Sequence, residues 1–181
     1  MNILGIVGSP KKAGNTALLV EAVLEGAHEV GHDTTICYLC DLDFSPLVAK
    51  NDVISYPQDD MVKLYPLIER MEALVLGTPI YYDHVSARTK LFIDRLHYYS
   101  ITHSREYHRK FPQNVKFISI ITYEWDKSDA YDTVIQWINE RMKQYWKMQL
   151  VASLKAEGTH KIPVSERYTL LKNAKELGRT L

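Results

Sequence analysis

The segment NILGIVGSPKKAGNT, residues 2–16, joins an apolar strand to a loop of small and hydroxyl-bearing residues. Gly8 and Gly14 allow backbone N–H groups to turn inward, and the predicted helix that follows directs the positive end of its dipole at the same point. The hydroxyl groups of Ser9 and Thr16 add hydrogen-bond donors. Since each charge-assisted hydrogen bond contributes roughly 1.5–3 kcal/mol, the loop is suited to a dianionic phosphoester.

Two common phosphate-binding motifs do not match this loop. The chain has no G-K-[ST] sequence, which excludes the P-loop of nucleotide hydrolases. Gly5, Gly8 and Gly14 are too widely spaced for the G-x-G-x-x-G dinucleotide fingerprint. The loop therefore predicts a site for one terminal phosphate. The alternative is an ordinary strand-to-helix turn, because such turns often contain Gly, Ser and Asn.

A second candidate site is TPIYY, residues 78–82, which follows the apolar run ALVLG. Pro79 removes a backbone donor and stiffens the predicted turn. Ile80, Tyr81 and Tyr82 offer apolar and aromatic surface, and the backbone N–H groups after the proline lie within reach of the edge of a heteroaromatic ring. The alternative is that the tyrosines cover the end of the sheet, since the chain has 12 tyrosines.

Cys37 and Cys40 form a C-x-x-C pair, the pattern of many metal and redox sites. They stand at the end of a predicted strand, where residues three apart point to opposite faces. One such pair also supplies only half the ligands of a structural zinc or iron–sulfur site. We therefore expect ordinary buried or half-buried thiols and no metal site.

The elements that position these residues alternate between strand and helix along the whole chain. Apolar runs predict strands at residues 2–7, 33–39, 73–77, 115–121 and 149–154. Helical periodicity predicts helices at residues 15–29, 60–70, 86–99, 130–146 and 164–177. Residues 41–59 lack periodicity and are predicted to be a long, loosely structured connection, a kind of segment that is often functional.

This alternation predicts a single α/β domain over residues 1–181: a three-layer sandwich with a five-stranded parallel sheet. Two doubly wound strand orders are open, and the length and strand count favour the order 2-1-3-4-5. Its direction reverses between strands 1 and 3, where ligands bind outside the carboxyl ends. The phosphate loop follows strand 1 and TPIYY follows strand 3, so both candidate sites meet there. A ligand with one terminal phosphate and a flat, hydrogen-bonding ring is flavin mononucleotide (FMN).

The two segments GSPKKAGNT and LGTPIYYDHVSARTKLFIDR resemble the NAD(P)H-dependent FMN reductase superfamily, in particular its iron–sulfur flavoprotein branch. The resemblance covers most of residues 1–125 and implies a flavodoxin-like fold. It implies that the loop around Gly14 holds the FMN phosphate through Ser9, Lys11, Asn15 and Thr16. It implies that the isoalloxazine meets Thr78, Pro79, Ile80, Tyr81 and Tyr82, with weaker matches at Thr122 and Tyr123.

The chain departs from the family pattern in two places. Family members usually have arginine at the position of Lys11, so the charge is kept and the bidentate geometry is lost. The iron–sulfur branch has a compact cysteine motif before its D-D-M, whereas none of residues 41–61 is a cysteine here. We therefore expect a flavin protein without an iron–sulfur cluster.

The leading functional hypothesis is a two-electron oxidoreductase with tightly, non-covalently bound FMN. NAD(P)H is the expected donor, and a small acceptor such as free flavin or a quinone is the expected second substrate; no side chain is predicted to act as a catalytic acid, base or nucleophile. A flavodoxin-like electron carrier is the alternative. Such carriers typically have an acidic surface, which is not evident in a chain of zero net charge. A regulatory module that binds a phosphate or nucleotide is a third possibility.

Charge and composition restrict the possible partners. The 22 basic and 22 acidic residues give a net charge of +0, which provides no electrostatic case for nucleic acid or an anionic membrane. The apolar runs are too short to span a bilayer, and no signal peptide is visible, so a cytoplasmic location is expected.

The resemblance implies a homodimer or homotetramer. The basic stretch 97–110 is interpreted either as a solvated helix end and loop, which we favour, or as a contact for nicotinamide nucleotide phosphates.

Overall fold

A parallel sheet forms the centre of the structure, a computed structural model that describes residues 1–51 and 53–181. The strands of the described residues are β1 (Asn2–Val7), β2 (Asp33–Tyr38), β3 (Val48–Lys50), β4 (Val53–Ser55), β5 (Ala73–Tyr81), β6 (His84–Val85), β7 (Lys116–Thr122) and β8 (Gln149–Ala156). The main strands run parallel in the order β2-β1-β5-β7-β8. This order confirms the predicted 2-1-3-4-5 arrangement, which is the flavodoxin-like topology.

Helices cover both faces of the sheet. The α-helices are α1 (Asn15–Glu29), α2 (Met61–Arg70), α3 (Ala87–Arg95), α4 (Arg105–Lys110), α5 (Asp132–Trp146) and α6 (Tyr168–Arg179). One core contains residues of α1 and α6, and the other contains residues of α2, α3 and α5. In β5 the side chains of Leu74 and Leu76 enter one core and those of Ala73 and Val75 the other, because successive strand residues point to opposite faces. This alternation explains why the strand reads as an unbroken apolar run.

The turn predicted at residues 78–82 was wrong for residues 78–81, because β5 continues through Tyr81 and the chain turns at Tyr82 and Asp83. Thr78 and Pro79 pair with β7, and Ile80 and Tyr81 pair with the antiparallel strand β6. The neighbour β1 ends opposite Gly77. From Thr78 onward the strand therefore has no β1 partner, which is where a residue without an N–H group is tolerated.

The prediction that 41–59 is loosely structured was also wrong for the described part of that segment. It contains the antiparallel pair β3–β4, while Asp52 lies outside the described residues. The segment is fixed by Arg95, whose side chain is 0% exposed and donates to both carboxylate oxygens of Asp59 at 2.6 and 3.0 Å. The same guanidinium donates to the carbonyl oxygens of Ser45 and Pro57 at 2.7 and 3.3 Å. A buried ion pair with further hydrogen bonds strongly opposes release of this segment.

Several predicted boundaries shift by a few residues. The expected helix 86–99 is α3 followed by a 3₁₀ turn at Leu96–Tyr99, and the expected helix 164–177 is a 3₁₀ turn at Val164–Glu166 followed by α6. The short helix α4 lies in a stretch that was not predicted to be helical. Within the part of the chain that the structure describes, no helix combines the length and apolar character needed to cross a membrane.

Candidate functional site

The carboxyl ends of β1, β5 and β7 border a cavity of about 650 Å³. This volume lies within the range of small-molecule and cofactor sites. Eleven of the twelve predicted site residues line the cavity: Ser9, Lys11, Gly14, Asn15, Thr16, Pro79, Ile80, Tyr81, Tyr82, Thr122 and Tyr123. The structure thus brings the two sequence motifs to one place, as the strand order requires.

The loop between β1 and α1 forms the polar end of the cavity. Helix α1 begins without a side-chain cap on its N-terminal N–H groups and has no acidic residue in its first turn. The backbone N–H of Lys11 donates to Ser9 Oγ at 3.1 Å, which folds the loop back on itself. A 15-residue helix whose first N–H groups and dipole face a cavity is a favourable place for an anion.

Two polar side chains of this loop also connect it to other parts of the chain. Asn15 Oδ1 accepts a hydrogen bond from the Val164 N–H at 2.8 Å, which leaves the side-chain NH₂ group as a donor. The hydroxyls of Thr16 and Thr122 are 2.7 Å apart. The loop and the first turn of α1 are therefore held by the end of β7 and by the segment that follows β8.

A buried hydroxyl network joins the two motifs beneath the cavity. Ser86 Oγ donates to the carbonyl oxygen of Gly8 at 2.7 Å and lies 2.9 Å from Thr89 Oγ1. Thr89 Oγ1 in turn donates to Thr78 Oγ1 at 3.0 Å, and Thr78 also accepts from the Ser86 N–H at 3.1 Å. Thr78 is the one predicted site residue that does not line the cavity, because this network engages its hydroxyl. Its role is to connect the strand end to the phosphate loop.

Glycine is required where this network meets β1. A Cβ atom added at Gly8 would lie 1.8 Å from Thr89 Oγ1 and 3.2 Å from the carbonyl oxygen of Gly77. The Gly8 N–H donates to that same carbonyl at 2.8 Å. Only a residue without a side chain allows this close approach of β1, β5 and α3.

The opposite end of the cavity is aromatic. Tyr123 donates from its hydroxyl to the carbonyl oxygens of Lys127 and Ser128 at 3.2 and 3.0 Å, and burial raises its pKa to about 12. Its ring meets that of Tyr131 edge-to-face at 4.9 Å between centroids. Tyr131 donates to Asp83 Oδ1 at 2.8 Å, and this bond raises the pKa of Tyr131. Both phenols therefore remain protonated donors at neutral pH.

Sequence reasoning missed a part of the cavity wall. Thr159, Pro163 and Ser165 follow β8 and line the cavity beside α1. The available signal was the strand order itself, because the loops after all parallel strands emerge at the same edge. Ser86 and Thr89 were also missed as network residues, since the spacing of their helix does not show which strands they approach.

The cysteine pair, the basic stretch 97–110 and His84 lie outside the cavity. Cys37 and Cys40 are free, half-buried thiols, and burial raises the pKa of Cys37 to about 11. His84 meets Trp137 edge-to-face at 4.8 Å. His97, in the basic stretch, is 2.6 Å from the Tyr56 hydroxyl through Nδ1. Among the described residues of stretch 97–110, none lines the cavity.

Comparison with known proteins gives a family match. A family model described as NADPH-dependent FMN reductase matches residues 1–139. An iron–sulfur flavoprotein of Methanocaldococcus jannaschii is 32% identical over 99 residues, which are 52% of this chain and 51% of that protein. An iron–sulfur flavoprotein of Methanosarcina thermophila is 28% identical over 99 residues, 52% of each chain. The chain thus spans about half the length of these relatives.

Solved structures show the same fold. An NAD(P)H:quinone oxidoreductase from Methanothermobacter marburgensis superimposes with a TM-score of 0.74 at 18% identity, over 99% of this chain and 96% of that one. A flavodoxin from the domain Archaea gives a TM-score of 0.61 at 16% identity, over 99% and 95%. At this identity the likeness establishes the flavodoxin-like fold alone.

Proposed function

The chain belongs to the NADPH-dependent FMN reductase family, and from this premise we propose that it binds FMN in the 650 Å³ cavity and passes electrons from NAD(P)H to a small acceptor. One observation carries the proposal. The uncapped start of α1 and the end of β5 border one cavity, so a site for an anion and a surface for a flat ring lie side by side. FMN combines these two chemical features in one molecule.

The polar end of the cavity fits the phosphate of FMN. The first N–H groups of α1, the Ser9 and Thr16 hydroxyls and the Asn15 side-chain NH₂ are donors on this wall. Lys11 adds a positive charge from an exposed position. Charge-assisted hydrogen bonds of this kind are about twice as strong as neutral ones, so the phosphate would provide much of the affinity.

The apolar end of the cavity fits the ring system. Pro79, Ile80, Tyr81 and Tyr82 line the cavity on the β5 side, and Tyr123 lines it on the β7 side next to Thr122. The buried network of Thr78, Ser86 and Thr89 fixes the β5 wall relative to the phosphate loop. A pre-formed site of this kind lowers the ordering cost of binding.

The proposed redox reaction depends on a cofactor, and we assign no side chain of the cavity a role as catalytic acid, base or nucleophile. When bound, FMN would supply the redox step: NAD(P)H loses a hydride, and the acceptor gains two electrons with two protons. The residues of this chain bind the phosphate, orient the ring and cover one side of the site. The cysteine-free segment 41–61 supports the further proposal that no iron–sulfur cluster is bound there.

We also propose that the chain acts as a homodimer or homotetramer. A groove of about 460 Å³ between α3 and α5 includes the exposed side chains of Ile101 and Tyr145, 61% and 58% exposed. Large exposed apolar side chains in one groove are typical of an interaction surface. Sedimentation analysis at several protein concentrations tests this proposal, and a monomer throughout would contradict it.

Anaerobic reduction tests the main proposal. The purified protein should show the absorbance of bound flavin, and NADPH or NADH should bleach it while one nicotinamide is oxidised for each flavin. The control variant Tyr168→Ala should bind flavin and be reduced like the wild type, because Tyr168 is an exposed aromatic residue of α6 outside the cavity. A protein that binds FMN but resists both nucleotides would favour the electron-carrier alternative, and one that binds no FMN would refute the proposal.

A further inference from the structure

The hairpin between β5 and β6 has an unusual turn at the cavity mouth. Its two turn residues, Tyr82 and Asp83, both have positive φ angles of 46° and 64°. This conformation suits Asn-Gly or similar pairs, because they tolerate the left-handed region. Aspartate is accepted there, but a bulky aromatic residue is an outlier that costs free energy. Strain of this kind persists where the surrounding structure imposes it, often at a functional site.

The Tyr82 side chain makes no contact within the described residues that would offset the cost of this backbone conformation. Tyr82 is fully exposed, whereas the adjacent Tyr81 is 47% exposed. In residues 1–51 and 53–181, no side-chain hydrogen bond or ring contact of Tyr82 is found. A tyrosine held in this way contributes nothing to packing, although it lines the cavity.

The turn is held in place from the other side of the cavity. Asp83 Oδ1 accepts the hydrogen bond from Tyr131, and the Tyr131 ring lies 6.2 Å from that of Trp125 between centroids. Trp125 is 58% exposed and also lines the cavity. Exposed aromatic residues of the β5–β6 hairpin and of the loop after β7 therefore line one opening. The hydrogen bond between Tyr131 and Asp83 connects the hairpin to the start of α5.

We propose that Tyr82 determines acceptor specificity by forming, with Trp125, an aromatic wall against which a neutral planar acceptor of the quinone class stacks. This inference rests on the proposed function, because the acceptor must reach reduced FMN in the same cavity. In the balanced step, NAD(P)H gives up a hydride and the quinone gains two electrons and two protons to become a hydroquinone; the second proton comes from solvent.

The chemistry of the opening favours a neutral flat molecule over a charged one. Tyr82, Tyr81 and Trp125 are exposed aromatic residues that line the cavity, and aromatic rings stack on planar molecules. Glu124 is exposed in the same wall and disfavours an anionic acceptor. Stacking on one aromatic side chain changes affinity by about two- to tenfold, so the loss of the Tyr82 ring should be measurable without abolishing turnover.

Equilibrium binding gives a test that is independent of turnover. The oxidised, FMN-saturated protein is titrated with 1,4-naphthoquinone while tryptophan fluorescence is recorded. We expect Tyr82→Ala to raise the dissociation constant about fivefold and Tyr82→Phe, which keeps the ring, to restore it. Tyr168→Ala removes an aromatic ring that is 81% exposed and outside the cavity, and it should behave as the wild type.

Steady-state kinetics test specificity with a second acceptor. Ferricyanide is anionic and not planar, so the ratio of kcat/KM for naphthoquinone to that for ferricyanide should fall about fivefold in Tyr82→Ala. The ratio also cancels any effect of the substitution on FMN affinity. An unchanged ratio together with an unchanged naphthoquinone dissociation constant would overturn the inference, even if FMN reduction by NAD(P)H is normal. Failure of the wild type to bind FMN would instead overturn the proposed function itself.

A stability measurement tests the strain. Asparagine tolerates a positive φ and lacks the ring, so Tyr82→Asn should raise the thermal midpoint of the protein without FMN while it weakens naphthoquinone binding. A lower midpoint would show that the Tyr82 ring stabilises the fold, which contradicts the inference.

Discussion

Replacement of Gly8 by alanine provides a quantitative test of how the two motifs are joined. The new Cβ would lie 1.8 Å from Thr89 Oγ1, so the hydroxyl must move. Its hydrogen bonds to Ser86 and Thr78 would then be lost, at about 1 kcal/mol each. Overpacking of the site adds about 1–3 kcal/mol. We therefore expect Gly8→Ala to lower the free energy of unfolding by about 4 kcal/mol.

The partner substitution Thr89→Ala makes the test specific. It removes the clashing oxygen and loses the same two hydrogen bonds, which costs about 2 kcal/mol by itself. In the double variant the nearest atoms to the new Cβ are Thr89 Cβ at 3.1 Å and the Gly77 carbonyl oxygen at 3.2 Å. These contacts are tight but tolerable, so we expect a total loss of about 3 kcal/mol. The double variant should thus be more stable than Gly8→Ala alone.

Urea unfolding of the four proteins without added FMN measures these free energies as a double-mutant cycle. The same variants are then titrated with FMN, and Gly8→Ala should bind more weakly because Ser9 moves with its neighbour. Additive losses in the cycle, or a loss below about 1 kcal/mol for Gly8→Ala, would refute the contact between β1 and α3 on which the site geometry depends.

Three further predictions follow from the same structure. Arg95→Met should lower the free energy of unfolding by about 3–5 kcal/mol, because it leaves the Asp59 carboxylate without its partner; a loss below about 1 kcal/mol would contradict the buried pair. Burial opposes ionisation of Asp59, but the hydrogen bonds from Arg95 and two backbone N–H groups outweigh it and hold its pKa below 3.8. Because its pKa is depressed, ionised Asp59 stabilises the fold above about pH 4. The difference in free energy of unfolding between wild type and Arg95→Met should therefore narrow as the pH falls through the folded-state pKa of Asp59. A difference that does not change with pH would rule out this linkage. Lys11→Ala should weaken FMN binding about tenfold and Lys11→Arg should tighten it a few fold, measured by flavin fluorescence; equal affinities would exclude a phosphate contact. Because its pKa is raised to about 11, Cys37 should react with iodoacetamide at pH 8 far more slowly in the folded protein than in urea, and equal labelling rates by mass spectrometry would contradict its burial.

The sequence predicted the features that depend on local pattern and on the rules of parallel sheets. The alternation of apolar runs and helical periodicity was sufficient for the strand order, because parallel connections leave few topologies. The strand order in turn places Ser9 and Tyr81 at one edge of the sheet. Local turn chemistry identified the phosphate loop, since small residues before a helix have a direct physical meaning.

The features that were missed depend on contacts between distant residues. The extension of β5 to Tyr81 requires β6 and β7 as partners, and an isolated TPIYY segment reads as a turn. Arg95 looks like an ordinary helix-end cation, and only the fold shows that Asp59, 36 residues away, neutralises it. The positive φ of Tyr82 was likewise not predictable, because tyrosine does not favour that conformation.

Comparison of FMN with riboflavin tests the central claim most directly, because the two flavins differ only by the phosphate. The protein without flavin is titrated with each, and the dissociation constants are obtained from flavin fluorescence. A phosphate held by several charge-assisted hydrogen bonds should make FMN bind at least about a hundredfold more tightly than riboflavin. Equal affinities for the two flavins, or no binding of either, would contradict the assignment of the cavity between β1 and β5 as an FMN site.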